Sequence, residues 1–232
     1  DAGDQARENF VSGQDAAFYA ELYKNAGLKG GHVILLNGKD SEYYEATRNQ
    51  ALKALAAYPG GLQIGGGVCP DNAEDYLKAG ASHVIVTSYV FKDGKISWKN
   101  LNRMKDTVGK ENLVLDLSCR KKDGKYYIVT DRWQKFTEVI VTLETMEELG
   151  NYCDEFLVHA VDVEGKARGV ETELAALLGA YRGNPVTYAG GVGSVSDIED
   201  LRKYGKDRLD VTVGSALDLF GGRIPFTELI KL

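Results

Sequence analysis

The chain of 232 residues has no apolar run approaching the ~18 residues of a membrane span, and no signal peptide is legible in it. Cysteine is scarce: Cys69, Cys119 and Cys153 are odd in number and far apart. That pattern excludes a disulfide framework, offers no zinc-ligand spacing and points to a reducing compartment. Positive charge is not in excess either, since 28 Lys and Arg oppose 34 Asp and Glu for a formal net charge of −6. Such a balance argues against nonspecific binding of nucleic acid or anionic membranes. The first residue is Asp1 rather than Met, so a segment upstream is expected. What the chain does have is 44% hydrophobic residues and a mean hydropathy of −0.27, enough to bury a sizeable core.

Short apolar runs alternate with longer amphipathic stretches. Strands are predicted at residues 32–36 (HVILL), 62–64, 83–86 (HVIV), 112–117 (NLVLDL), 156–158, 186–188 and 209–213. A helical pattern through Phe18, Leu22 and Tyr23 precedes the first strand. Further helices are predicted at 42–57, 73–78, 98–108, 144–149, 171–181 and 195–204, with helical segments to Leu232. Lys122-Asp123-Gly124-Lys125 reads as a turn, after which residues 126–129 form a small hairpin. This alternation specifies βαβ units and a parallel sheet in an α/β fold. Seven strands behind an opening helix are what a (β/α)8 TIM barrel leaves when its first strand is missing. The expectation is a single barrel domain over residues 1–232 holding strands two to eight, with strand one upstream of Asp1. A doubly wound open sheet is the alternative.

An internal repeat favours the barrel. Ile64-Gly65-Gly66-Gly67-Val68 precedes Pro70-Asp71-Asn72-Ala73-Glu74-Asp75 and then Val84-Ile85-Val86-Thr87-Ser88. Later the chain reads Ala189-Gly190-Gly191-Val192, then Ser194-Val195-Ser196-Asp197-Ile198-Glu199-Asp200, then Val211-Thr212-Val213-Gly214-Ser215. Gly66 to Gly191 is 125 positions and Ser88 to Ser215 is 127, which predicts two similar half-barrels.

A glycine-rich loop at a strand's C-terminal end lets backbone N–H groups approach a phosphate without interference from Cβ. The helix that follows adds its dipole. A single Gly-Gly after a strand is most often a plain tight turn, but here the unit occurs twice. Gly66 and Gly67 with Thr87 and Ser88 form one predicted phosphate site; Gly190 and Gly191 with Gly214 and Ser215 form the other. A small-molecule substrate with a phosphate at each end follows. Asp116 lies near the C-terminal end of a buried apolar strand, either facing the barrel mouth or capping a neighbouring loop. The next strand delivers His159, Asp162 and Glu164 toward the same mouth, with Asp162 equally suited to capping its loop. His32 and His83 begin strands and are read as structural, at the stability face. Trp133, in the loop after the hairpin, either stacks on a planar base and closes the site or packs in its loop.

The paired glycine loops, the half-barrel repeat, Val114-Leu115-Asp116-Leu117 and Asp162-Val163-Glu164-Gly165 resemble the ProFAR isomerase family of histidine biosynthesis. Leu117-Ser118-Cys119-Arg120-Lys121-Lys122-Asp123-Gly124, His159-Ala160-Val161-Asp162-Val163-Glu164-Gly165 and Val213-Gly214-Ser215-Ala216-Leu217-Asp218-Leu219-Phe220-Gly221-Gly222 resemble its eukaryotic-type branch. The resemblance implies a (β/α)8 barrel and an Amadori rearrangement of an aminoaldose to an aminoketose. It implies acid/base catalysis by two carboxylates, with no metal and no organic cofactor. Asp116 matches the family's strand-five aspartate and takes the general-acid role, while the strand-one aspartate is expected upstream of Asp1. His159 and Glu164 stand where bacterial relatives usually have a threonine and an aspartate, and are expected in the catalytic site. Trp133 matches a loop tryptophan that packs on bound substrate. A monomer in the cytoplasm is expected, or in a plastid if a transit peptide lies upstream. One rival is the related cyclase barrel of imidazole glycerol phosphate synthase, a lyase that works with a glutaminase partner. Another is a noncatalytic bisphosphate-binding barrel, which applies if strand one is truly absent.

Overall fold

A computed structural model of the protein describes residues 10–165 and 169–231. Residues 1–9, 166–168 and 232 lie outside the described residues, Asp1 among them. α1 (Ala16–Asn25) leads into β1 (Gly31–Ile34), α2 (Tyr44–Ala57), β2 (Leu62–Gly65), α3 (Pro70–Lys78) and β3 (His83–Val86). A short ribbon, β4 (Phe91–Lys92) and β5 (Lys95–Ile96), precedes α4 (Trp98–Val108) and β6 (Leu113–Asp116). Three antiparallel strands follow: β7 (Cys119–Lys122), β8 (Lys125–Thr130) and β9 (Lys135–Ile140). The chain then runs through α5 (Leu143–Leu149), β10 (Glu155–His159), α6 (Thr172–Ala180), β11 (Val186–Ala189), α7 (Val195–Gly205), β12 (Leu209–Thr212) and α8 (Phe226–Leu229).

The seven strands expected from the sequence form one parallel sheet in the order β1-β2-β3-β6-β10-β11-β12. The strands of this sheet follow one another in chain order, with at least one helix in every crossover and the antiparallel strands β4–β5 and β7–β9 set aside from it. A doubly wound sheet reverses its strand order at a switch point, and this sheet never does. It curls instead. Gln63 on β2 donates to Glu155 on β10 at 2.7 Å although two strands separate them in the sheet. At the sheet's two edges, Thr212 Oγ1 on β12 stands 3.3 Å from His32 Nδ1 on β1.

Curling separates two cores, as a barrel-like α/β fold requires. Ile85, Val114, Leu157 and Ala189 form a small buried cluster of their own, one residue from each of four strands. The larger cluster combines the other face of the sheet with the helices; Leu55, Tyr76, Met104 and Leu174 are essentially water-free there. The inner strands are therefore largely apolar on both faces, with Gln63, Glu155 and Thr187 forming a polar layer, and β2 is buried at every residue. Among the described residues, no helix is long and apolar enough to cross a membrane.

Three expectations shift. The helix predicted from residue 73 begins at Pro70: proline's fixed φ suits the first turn, and Asn72 Oδ1 accepts from the Cys69 N–H at 2.9 Å. The small hairpin is a three-stranded sheet, so Trp133 occupies the β8–β9 turn rather than a loop beyond the hairpin. His32 is not on the stability face: strand tilt brings its ring against the last residue of β12.

Candidate active site

Asp116 is the last residue of β6, and its carboxylate is held from both sides. The Thr87 hydroxyl, just past β3, donates to Oδ2 at 3.0 Å. Ser118 donates twice to Oδ1, through its N–H and its hydroxyl, each at 2.7 Å. Two of these partners are hydroxyls that can turn to accept, so both protonation forms of the carboxyl find partners.

His159 ends β10, on the strand next to β6. Its Nε2 lies 3.5 Å from Glu164 Oε2. Burial pushes the imidazole's pKa down, but the bond to Glu164 and the nearby Asp116 charge outweigh burial and raise it. The Trp133 ring packs on the same imidazole, centroids 5.3 Å apart at 44°. Its turn is held in the left-handed region at three successive non-glycine residues, Asp131, Arg132 and Trp133 (φ 52°, 56° and 66°). Such backbone costs free energy at each residue, so the placement of Trp133 is imposed by the surrounding structure. His32 behaves in the opposite way to His159. Burial, with the His159 charge adding to it, pushes its pKa down to about 4, and its Nε2 is buried without a hydrogen-bond partner.

The two glycine pairs adopt nearly the same turn. Gly66 and Gly67 have φ of 95° and 68°; Gly190 and Gly191 have 109° and 79°. A side chain at Gly66 would stand 2.0 Å from the Leu35 carbonyl oxygen, and one at Gly191 would stand 2.3 Å from that of Gly169. Each pair leads into a helix closed by a capping box, Cys69 with Asn72 at α3 and Ser194 with Asp197 at α7. His159, Glu164, Gly190, Gly191, Gly214 and Ser215 converge on a single cleft of about 110 Å³. Gly66, Gly67, Thr87 and Ser88 sit at the ends of β2 and β3, across β6 from that cleft. Ser88 and Ser215 are both exposed.

Asp162 is drawn elsewhere. It accepts from Arg120 Nε at 2.9 Å and from the Lys121 N–H at 2.8 Å, which ties the loop after β10 to β7. Thr87, expected at a phosphate, turns its hydroxyl to Asp116. Ser118, His32 and Thr212 escaped the sequence reading as site residues. A serine two positions past a strand-end aspartate and a histidine inside an apolar run were the available signals. Among the described residues, no three His, Cys, Asp or Glu side chains converge as a metal ion would need.

Known proteins resemble the chain over nearly its whole length. The family model described as "Histidine biosynthesis protein" matches residues 1–224. A chloroplastic 1-(5-phosphoribosyl)-5-((5-phosphoribosylamino)methylideneamino)imidazole-4-carboxamide isomerase of Medicago truncatula is 56% identical over 230 residues, covering 99% of this chain and 72% of that protein. The isomerase of the same name from Yarrowia lipolytica is 43% identical, covering 100% of this chain and 88% of the relative. That of Saccharomyces cerevisiae is 38% identical over 95% of this chain and 84% of the relative. With the matched residues running through both glycine loops and Asp116, the chain belongs to the histidine biosynthesis protein family.

Proposed function

We propose that the protein is the isomerase that converts the aminoaldose ProFAR to its aminoketose, an aldose–ketose isomerase of histidine biosynthesis. The observation that carries this reading is the place of Asp116, fixed on β6 between two glycine-loop pairs of matched backbone geometry. A substrate with a phosphate at each end spans the mouth with its reacting ribose over that carboxyl. The two matching turns support a barrel of two similar halves, each supplying one phosphate site.

In the rearrangement a general base, which the family resemblance puts on strand one, takes the proton from C2 and an acid delivers one to C1, so C2 is oxidised and C1 reduced without external oxidant or reductant. Asp116 acts as the general acid that protonates the ring oxygen as the sugar opens to a Schiff base. His159, its pKa raised beside Glu164, supplies positive charge to the oxygen atoms near the reacting ribose. Gly66, Gly67 and Ser88 hold one phosphate, and Gly190, Gly191, Gly214 and Ser215 hold the other, through N–H and hydroxyl donors. Trp133 covers the substrate. Asp162 keeps the loop that carries Glu164 in register with β7. The protein works as a monomer on this small molecule.

The test is turnover of ProFAR, followed by the absorbance change on isomerisation and by a coupled cyclase. Formation of the aminoketose without a glutaminase is expected. Turnover only with glutaminase or ammonia would assign the related cyclase activity, and binding without turnover would leave a bisphosphate-binding barrel.

A further inference from the structure

We propose that Ser118 is a positioning residue for the isomerisation, one that sets the orientation of the Asp116 carboxyl. The inference rests on the isomerase reading above and adds a residue to it. Among the described residues, four polar, non-aromatic side chains are buried: Gln63, Ser118, Thr137 and Thr187. Gln63 and Thr187 both bond to Glu155, and Thr137 bonds to the Ile128 carbonyl. Ser118 alone of the four bonds to a candidate catalytic group.

An aspartate side chain accepting from the N–H two residues on is a common turn, and the Ser118 N–H alone would complete it. The hydroxyl is surplus to that turn. It donates to the same oxygen at 2.7 Å from a residue that is 0% exposed, which leaves Oδ1 little freedom to rotate. Thr87 donates to one side of Oδ2 from the end of the neighbouring strand at 3.0 Å. A carboxylate offers about four lone-pair sites. Three are occupied here, and the fourth is the one left to face a substrate.

The backbone around Ser118 is fixed as firmly as its side chain. Leu117 donates to the Leu157 carbonyl on β10 at 2.8 Å, and the Ser118 carbonyl accepts from Val129 on β8 at 2.9 Å. β8 also leads directly into the turn that presents Trp133. Ser118 therefore joins the strand beneath the carboxyl to the antiparallel sheet above it. A charge-assisted hydrogen bond of this kind orients its acceptor, and small misplacements of a catalytic group cost rate rather than affinity.

The test uses the whole protein with Ser118→Ala and Ser118→Cys, two replacements of nearly matched size. Alanine has no donor and the thiol is a weak one. Alanine is expected to lower kcat about 10- to 100-fold with KM within about 3-fold of the parent, and cysteine to fall between the two. A thermal midpoint close to the parent's guards against a folding defect. In an Asp116→Asn background, Ser118→Ala is expected to change the residual rate less than about 3-fold, because there is no longer a carboxylate to orient. An unchanged kcat in Ser118→Ala would overturn the proposal, as would a loss confined to KM or one that persists in full without Asp116. If the parent protein itself fails to turn over ProFAR, the isomerase reading falls first and this role falls with it.

Discussion

The two glycine loops share a backbone and differ in charge. At α3 the capping residue is Asn72, whose neutral amide bridges the Cys69 N–H and the Gly67 carbonyl. At α7 the same position holds Asp197, and its Oδ2 accepts from the N–H groups of Gly193 and Ser194 at 2.9 and 2.8 Å. Both helices have an acid in the first turn, but that of α7 is the capping residue itself, whereas Asp71 of α3 pairs with Arg103 at 3.1 Å. Surroundings differ as well. Nothing stands within 4 Å of a side chain built on Gly67, whereas Gly191 lies under the Gly169 carbonyl oxygen. The two turns therefore match in backbone while their second glycines differ in surroundings: Gly67 is exposed and Gly191 buried, although Gly66 is as closely confined by Leu35 as Gly191 is by Gly169.

The largest effect that would break this contrast is steric. Gly191→Ala forces a left-handed alanine into contact with the Gly169 oxygen at 2.3 Å, so something must shift. A rise in substrate KM of more than about 10-fold and a lower thermal midpoint are expected. Gly67→Ala, at φ 68° in open space, should cost only about 1 kcal/mol, measured by denaturant titration. Equal damage from the two alanines would dissolve the distinction.

Exchanging the caps sharpens it. Asn72→Asp places an anion beside the first phosphate and should raise KM several-fold. Asp197→Asn should lower KM while costing about 0.5–1 kcal/mol of helix stabilisation. Steady-state kinetics of both variants decide the matter, and KM shifts of the same sign would count against it.

The two histidines, near enough for the His159 charge to lower the pKa of His32, give an effect read in stability rather than in turnover. His32, depressed to about 4, is refused a proton in the folded state that the unfolded chain accepts below about 6.5. Its share of stability is full above that pH and shrinks toward pH 4, by up to about 3 kcal/mol. His159 has the opposite sign: its raised pKa contributes stability at low pH that is lost as pH climbs through the raised value. Denaturation at pH 7 and pH 4.5 should show a smaller difference in His32→Asn than in the parent.

Strands were legible because each is a short apolar run bounded by turn residues, and the inner strands of the sheet, such as residues 83–86, are largely buried on both faces. β9 was missed because its sequence, KFTEVI, has a mostly exposed first half and keeps Thr137 as its one fully buried residue. The glycine loops were legible because glycine is the residue that accepts these backbone angles. Thr87 was not, since a hydroxyl carries no mark of which partner it chooses, and the structure points it at Asp116. Asp162 likewise depends on Arg120 and Lys121, about forty residues earlier in the chain. His32 was misread because its role depends on a sheet edge 180 residues away, a contact that no local pattern encodes.

The central claim is that Asp116 moves a proton at a sugar held by both loops. Its most direct measurement is kcat and KM for ProFAR in Asp116→Asn, an exchange that keeps the size and the partners of the side chain. The account predicts a kcat lower by about three orders of magnitude or more with KM little changed. A normal kcat with a raised KM would make Asp116 a binding residue and contradict the account.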